Sequence, residues 1–414
     1  MYLLLNKIRD HNLTDMKKLL ALLAICPAMA LASSMPAPSG APEIITPDST
    51  GFIFTDILSL PTTPVKNQNK SGTCWCFAGT SLIEEDILRK GGPELDLSEM
   101  YWVRQNYIDK AKKYISMDGK INFAQGGGFA DVFDAAAVYG AVPEEVYSGL
   151  NYGEDKHSHY EMADGLTAYL DALLKGNRQN LSDAWLRGFT GILDAYLGEV
   201  PEEFTYKGKK YTPVTFAKEM GIAPEEFVTV TSFTHHPFYT WFPLEIADNW
   251  RWTSSYNVPM EEMKQMVDDA LNAGYTVGWS ADVSEPGWQW RKGYAVLPEE
   301  KGPEDMSENE AAKWDQMTEK ERKELTYDIS GPVKERAVTQ EMRQKHFENK
   351  ETTDDHGMVI IGIAQDQEGN RYYKVKNSWD TNQLYGGYIY VSEPYFLDKT
   401  IGITLNKKAV KTLK

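Results

Sequence analysis

Hydrophobic and polar positions follow helical spacing in the first two thirds of the chain and strand-like runs near its end. In residues 74–88, Trp75, Phe77, Ala78, Leu82, Ile83, Ile87 and Leu88 form a broad apolar side and predict a helix. Ser71 and Thr73 offer oxygens for its N-terminal cap, Arg89 and Lys90 close the last turn, and Gly91 supplies the stop. Helices are also predicted at 97–113, capped by Ser98, and at 129–139, ended by Gly140. Helical spacing continues through much of 161–218, where Leu166, Tyr169, Leu170, Leu173 and Leu174 keep the period, and returns at 260–273. Buried strands are predicted at 275–280, 356–363, 371–376, 386–391 and 400–405. Residues 298–323 mix Glu and Lys and read as a solvated helical insertion.

Composition changes the picture in two places. The net charge of −17, with no basic run to offset it, argues against a nucleic-acid footprint. Lys17 and Lys18 precede an apolar run at 19–25, and Ala30-Leu31-Ala32 offers a small-residue cleavage site. We therefore expect a signal peptide at 1–32, with 1–15 an unused upstream start, then a flexible leader at 33–50. The apolar run is too short to span a membrane, so the expected destination is the periplasm or the medium. Acylation at Cys26 is the alternative, but Ile25 before it suits that motif poorly. Cleavage leaves Cys74 and Cys76, which point in different directions on a helix and form no disulfide.

The candidate chemistry starts at Cys74, on the first turn of its helix. Unpaired N–H groups and the positive dipole end favour a thiolate there. Such a setting takes a cysteine pKa from about 8.5 into the range of about 3.5–7.5. The plainer alternative is a buried structural cysteine. Gln68, six residues upstream, can donate an amide N–H to charge developing on a substrate oxygen. His356 begins a strand and Asn377 follows the next one, 21 positions later across one turn. The Asn377 amide oxygen can then hold one ring nitrogen of His356 and aim the other at Cys74. Gly126-Gly127-Gly128 precedes a helix; it reads as a phosphate cradle lacking the P-loop Lys-Ser/Thr, or as a tight turn. The aromatic stretch 231–252 is either a pocket wall or core. His235-His236 and His157-Ser158-His159 lack supporting ligands in the sequence, so no metal is assigned.

Gln68, Gly72-Thr73-Cys74-Trp75 and Phe77-Ala78, followed by His356 and Asn377-Ser378-Trp379, resemble the papain superfamily of cysteine peptidases. Cys74 and His356 lie 282 residues apart, against about 130–150 in papain and cathepsins. That interval, His-His-Pro-Phe-Tyr at 235–239, the step at 353–358 and Val-Lys-Asn-Ser-Trp at 375–379 resemble the bleomycin hydrolase and bacterial aminopeptidase C branch.

The resemblance implies an α+β, papain-like two-lobed fold over residues 51–414. A helical lobe would pack on an antiparallel β-sheet lobe, with a large, mainly helical insertion near 150–260. It implies Cys74 as nucleophile, His356 and Asn377 as its partners, Gln68 at the oxyanion and Trp379 as a shield. It places Gly127 and Gly128 along the substrate groove. It further implies cofactor-free aminopeptidase action on peptides, a hexameric ring, and a C-terminal arm that brings Lys414 into the cleft. An open-cleft endopeptidase, a thiol redox protein using Cys74 and Cys76, and a frayed basic tail are the respective alternatives. Three departures stand out. Ser71 replaces a cysteine that many papains use for a disulfide, Cys76 is an unusual neighbour read as a core residue, and the branch is usually cytosolic.

Overall fold

The computed structural model describes residues 50–175, 180–299, 313, 314 and 316–410. The expected signal peptide, nearly all of the leader, the middle of the charged segment and Lys414 lie outside these residues.

In chain order the helices are α1 (Cys74–Arg89), α2 (Glu99–Ser116), α3 (Phe129–Tyr139), α4 (Tyr160–Lys175) and α5 (Ala184–Leu197). They continue with α6 (Pro213–Met220), α7 (Met260–Asn272), α8 (Glu319–Thr326), α9 (Gln340–Glu348) and α10 (Glu393–Lys399). The strands begin with β1 (Thr55–Ser59), the hairpin β2 (Phe204–Tyr206) and β3 (Lys209–Tyr211), β4 (Phe227–Thr231), β5 (Trp241–Pro243) and β6 (Ser254–Asn257). Then come β7 (Val277–Ala281), β8 (Trp288–Gln289), β9 (Tyr294–Ala295), β10 (His356–Gln365), β11 (Arg371–Lys376), β12 (Tyr388–Ser392) and β13 (Thr400–Asn406).

One large sheet runs β5-β6-β4-β13-β7-β10-β11-β12-β9-β8, with β1 added to β10. Strand β10 is central and buried along nearly its whole length, which is why its sequence reads as a continuous apolar run. Its hairpin with β11 turns at Asp366, whose Oδ1 accepts from the N–H groups of Glu368 and Asn370. Because the pairing is antiparallel, with Val359 opposite Lys376, the chain leaving β11 returns beside the start of β10. That register brings Asn377 to His356.

Helix α1 packs on β10 and on α3, joining the helical half to the sheet. Two glutamates interrupt its apolar side, and both are buried. Glu84 meets Lys66 at 3.2 Å, and the same ammonium reaches Glu99 and Asp96 at 2.8 Å. Glu85 meets Lys376, the last residue of β11, at 3.2 Å. Lys376 also donates to Ser81 Oγ at 2.8 Å and to Thr63 Oγ1 at 3.0 Å. A buried carboxylate is costly unless paired in this way, so the Lys376 network fixes the end of β11 against α1.

The helical insertion is shorter than expected. Helices α4 to α6 and the β2–β3 hairpin end by Met220, and from Phe227 the chain enters the main sheet as β4 to β6. Pairing of β4 with β13 and with β6 draws this segment out of the insertion.

Candidate active site

Cys74 opens α1. Thr73 is the residue before the helix, but its side chain makes no capping bond; its carbonyl instead accepts from the N–H groups of Cys76 and Phe77 at 2.8 and 3.2 Å. Ser71 does not cap either. Its hydroxyl donates to the Gln68 carbonyl at 2.7 Å and lies 2.6 Å from Thr73 Oγ1, closing the loop before Cys74.

Strand β10 brings His356 to this helix end. An added Cβ on the next residue, Gly357, would lie 3.2 Å from the Cα of Trp75 and 3.6 Å from the carbonyl carbon of Cys74. The Gly357 N–H faces the Cys74 sulfur closely enough to pull the thiol pKa downward. His356 Nε2 and Asn377 Oδ1 are 2.7 Å apart, leaving Nδ1 as the remaining ring nitrogen. The Trp379 ring lies against the imidazole, centroids 4.5 Å apart and planes at 29°.

Gln68 joins the same group through the backbone. Asn67 bridges to Trp379, and the Gln68 N–H donates to the Ser378 carbonyl at 2.9 Å. Its side-chain carbonyl accepts from Ser378 Oγ, and its amide donates to the Ser71 carbonyl, both at 2.7 Å. One amide hydrogen is thus engaged by the Ser71 carbonyl, and no partner is found for the second among the described residues. The structure therefore brings Gln68, Cys74, His356, Asn377 and Trp379 together.

The charges differ from the sequence expectation. Burial pushes the Cys74 thiol up to about 11, with Asp354 and Asp248 adding to the rise, although the N–H groups of Gly357 and Trp75 pull downward. Burial also pushes His356 down to about 4, against the opposing pull of Asn377. Each charge taken alone is penalised here. Moving a proton from sulfur to ring creates both charges together, and each offsets part of the other's cost. Desolvation of the half-buried Cys74 outweighs the pull of the helix N-terminus, and the sequence alone does not display that burial.

Gly127 and Gly128 lie beside this group, with Gly128 opening α3. The Gly128 N–H donates to Asp131 Oδ2 at 2.8 Å, so a carboxylate occupies the helix end where the phosphate reading needed an anion site. A Cβ at Gly127 would sit 2.8 Å from Asp131 Oδ2 and 3.0 Å from Trp75 Cε2, which is why glycine is required there. Both glycines line a pocket together with Phe129, Leu244, Asp248 and Asp354. Leu244 and Asp248 come from the aromatic stretch, so part of it does wall a pocket. Sequence reasoning missed Asp248 and Asp354; the acidic step before His356 was the available signal.

Cys76 is buried in the core, its thiol donates to the Glu99 carbonyl at 3.2 Å, and burial raises its pKa. Both cysteines are free. His235 and His236 do have a third neighbour, Glu245, at 3.1 and 2.8 Å from their Nε2 atoms. Gln344 Nε2 stands 3.1 Å from His235 Nδ1, while its Oε1 accepts from the Thr234 N–H. Gln344 thus donates to Nδ1, and His235 Nε2 carries a proton toward Glu245 rather than a lone pair toward a metal. His157 and His159 are buried behind the loop that carries Gln68, paired through backbone with Lys70.

The fold and this grouping define a cysteine-type peptidase of papain-like architecture. Residues 335–413 match the Peptidase C1-like family. Aminopeptidase C of Lactococcus lactis subsp. cremoris is 23% identical over 397 residues, covering 84% of this chain and 82% of its own. Bleomycin hydrolase of Rattus norvegicus is 22% identical over 407 residues, covering 86% and 83%. Among solved structures, PepW from Lactobacillus rhamnosis has the same fold, with a TM-score of 0.66 at 19% identity over 87% of this chain and 83% of that one. The chain is a papain-like cysteine peptidase similar to the aminopeptidase C and bleomycin hydrolase branch. Among the described residues no helix is long and apolar enough to cross a membrane.

Proposed function

We propose that this protein is an exported aminopeptidase that cleaves peptide bonds with Cys74, His356 and Asn377. The observation that carries the chemistry is the 2.7 Å contact between His356 Nε2 and Asn377 Oδ1, on a strand whose next residue, Gly357, packs on the backbone of Cys74 and Trp75. His356 Nδ1 takes the thiol proton as sulfur attacks the carbonyl, and the free amide hydrogen of Gln68 meets the oxyanion. The imidazolium then returns its proton to the leaving amine, and an acyl group remains on sulfur. Water, deprotonated by the same imidazole, releases the acid and restores the thiol. Asn377 holds the ring in orientation, and Trp379 shields that contact.

Action at free N-termini rests on the similarity to aminopeptidase C, and export on the signal-like segment of the sequence. A ring-shaped homo-oligomer and a C-terminal arm in the cleft rest on the resemblance alone; sedimentation and truncation test them. The deciding assay compares aminoacyl-coumarin amides with their N-acetylated forms, using the protein with and without Cys74→Ala. Faster release from free amines, abolished in the variant, is expected. Faster release from acetylated peptides would favour the open-cleft endopeptidase.

A further inference from the structure

The pocket beside Gly127 and Gly128 contains a carboxylate without a counter-ion. Three acidic residues line it: Asp131, Asp248 and Asp354. Asp131 is fully engaged, accepting from Arg251 Nε at 2.8 Å, Trp250 Nε1 at 3.1 Å and the Gly128 N–H. Asp248 accepts from Asn122 Nδ2 at 3.0 Å and lies in the field of Lys110, whose ammonium is itself held by the carbonyls of Ala124 and Gly126. Among the described residues, no hydrogen bond or ion pair is found for Asp354. It is partly buried, on the loop two residues before His356.

Asp354 and Asp248 both bear on the Cys74 thiol, since each raises its pKa through its charge. Burial, with Asp248 and Asp355 nearby, pushes Asp354 up to about 7, and negative charge on the pair opposes formation of the thiolate until a cation joins it. Apolar walls from Phe129, Leu244 and Ile401 make that cation more valuable by limiting water. An N-terminal peptide substrate brings a cation of its own. In an aminoacyl substrate the α-nitrogen is two bonds, about 2.5 Å, from the carbonyl carbon under attack. Its ammonium therefore cannot stray from the nucleophile, and groups that recognise it must line the adjoining space.

We propose that Asp354, supported by Asp248, binds the free α-ammonium group of the peptide substrate and so makes Asp354 a determinant of selectivity for N-termini. Resting on the peptidase reading above, this assigns selectivity to a side chain of the pocket wall. Binding would also offset the two charges that oppose thiolate formation, linking recognition of a free amine to activation of Cys74.

The test measures kcat/KM for a free aminoacyl-coumarin amide and for its N-acetylated form in wild type, Asp354→Asn and Asp248→Asn. For Asp354→Asn the ratio of free to acetylated turnover is expected to fall at least tenfold. Turnover of the acetylated substrate should be unchanged or raised, because a charge opposing the thiolate has gone. Asp248→Asn should give a smaller fall in the ratio. An unchanged ratio in Asp354→Asn, with acetylated substrate still cleaved, overturns this inference and leaves the peptidase reading intact. If Cys74→Ala cleaves either substrate like wild type, the peptidase reading itself fails. Acylation of Cys74 by an acetylated thioester, read by intact mass, shows whether Asp354→Asn keeps a folded nucleophile site; loss of that signal together with activity also counts against the selective role.

Discussion

Gly357 meets the backbone of Trp75 so closely that an added Cβ would stand 3.2 Å from the Trp75 Cα. The contact seats the start of β10 on the first turn of α1, and so fixes the spacing between the elements carrying His356 and Cys74. Gly357→Ala should force them apart by a few tenths of an ångström. We expect kcat/KM to fall by about tenfold or more, since misplacement of about 1 Å costs about a hundredfold. Steady-state kinetics with a urea melt provides the check. Full activity at native stability would show that this contact does not set the geometry.

Trp379 packs on the imidazole of His356, whose Nε2 meets Asn377 Oδ1. Its ring stacks on the imidazole and meets Trp290 edge-on, centroids 5.4 Å apart at 85°. Trp379→Ala should admit water to that bond and weaken its hold on the ring. A fall in kcat of about tenfold is expected, with a smaller change in KM, because the ring would be misaimed in the transition state. An equal loss in Asn377→Ala and in the double variant would show that the two act as one unit. Simple multiplication of their effects would contradict it.

Lys376 holds β11 to α1 through buried Glu85. Lys376→Met leaves that carboxylate without its cation and should cost about 3–5 kcal/mol of stability. Lys376→Met with Glu85→Gln should recover much of the loss. Urea midpoints of the single and double variants decide this. A single variant as stable as wild type would mean that the pair is not needed to join the lobes.

His157 and His159 are held neutral by burial, which pushes them down to about 4 and about 3. Among the described residues, neither ring nitrogen of His159 has a hydrogen-bond partner. Their folded values lie below the unfolded value of about 6.5, so acid favours the unfolded chain, which takes up protons first. Stability is lost as pH falls below about 6.5, and the loss grows until the folded values are reached. Buried Glu99 and Glu335, both pushed up to about 7, act in the opposite sense. The prediction is therefore a difference between variants. Relative to wild type, His157→Phe/His159→Phe should gain about 2–4 kcal/mol on going from pH 7.5 to pH 5. Parallel stability curves would contradict it.

The parts of this site readable in the sequence are those set locally. Residues 129–139 match α3 because Gly128 and Gly140 bracket an unbroken helical period. The return of Asn377 to His356 follows from two apolar strands and a turn built on Asp366. What stayed hidden depends on distant packing. Strands β4 to β6 enter the sheet through β13, some 175 positions away at the pairing of Thr229 with Thr404. The direction of the Cys74 shift depends on burial by other elements. Glu84-Glu85 inside an apolar helix did hint at buried partners, but nothing local named Lys66 and Lys376. Asp248 and Asp354 share a pocket only because β10 and the loop after β5 converge beside α3.

The most direct test of the account is intact-mass detection of the acyl-enzyme. The protein is mixed with an aminoacyl thioester and quenched in acid before turnover is complete. One acyl group should appear on the peptide containing Cys74, with none in Cys74→Ala. Cys76→Ala should acylate as wild type does, and His356→Ala should acylate at least a hundredfold more slowly. Substrate hydrolysis in Cys74→Ala at the wild-type rate, or acylation that follows Cys76, would contradict the assignment of Cys74 as the nucleophile.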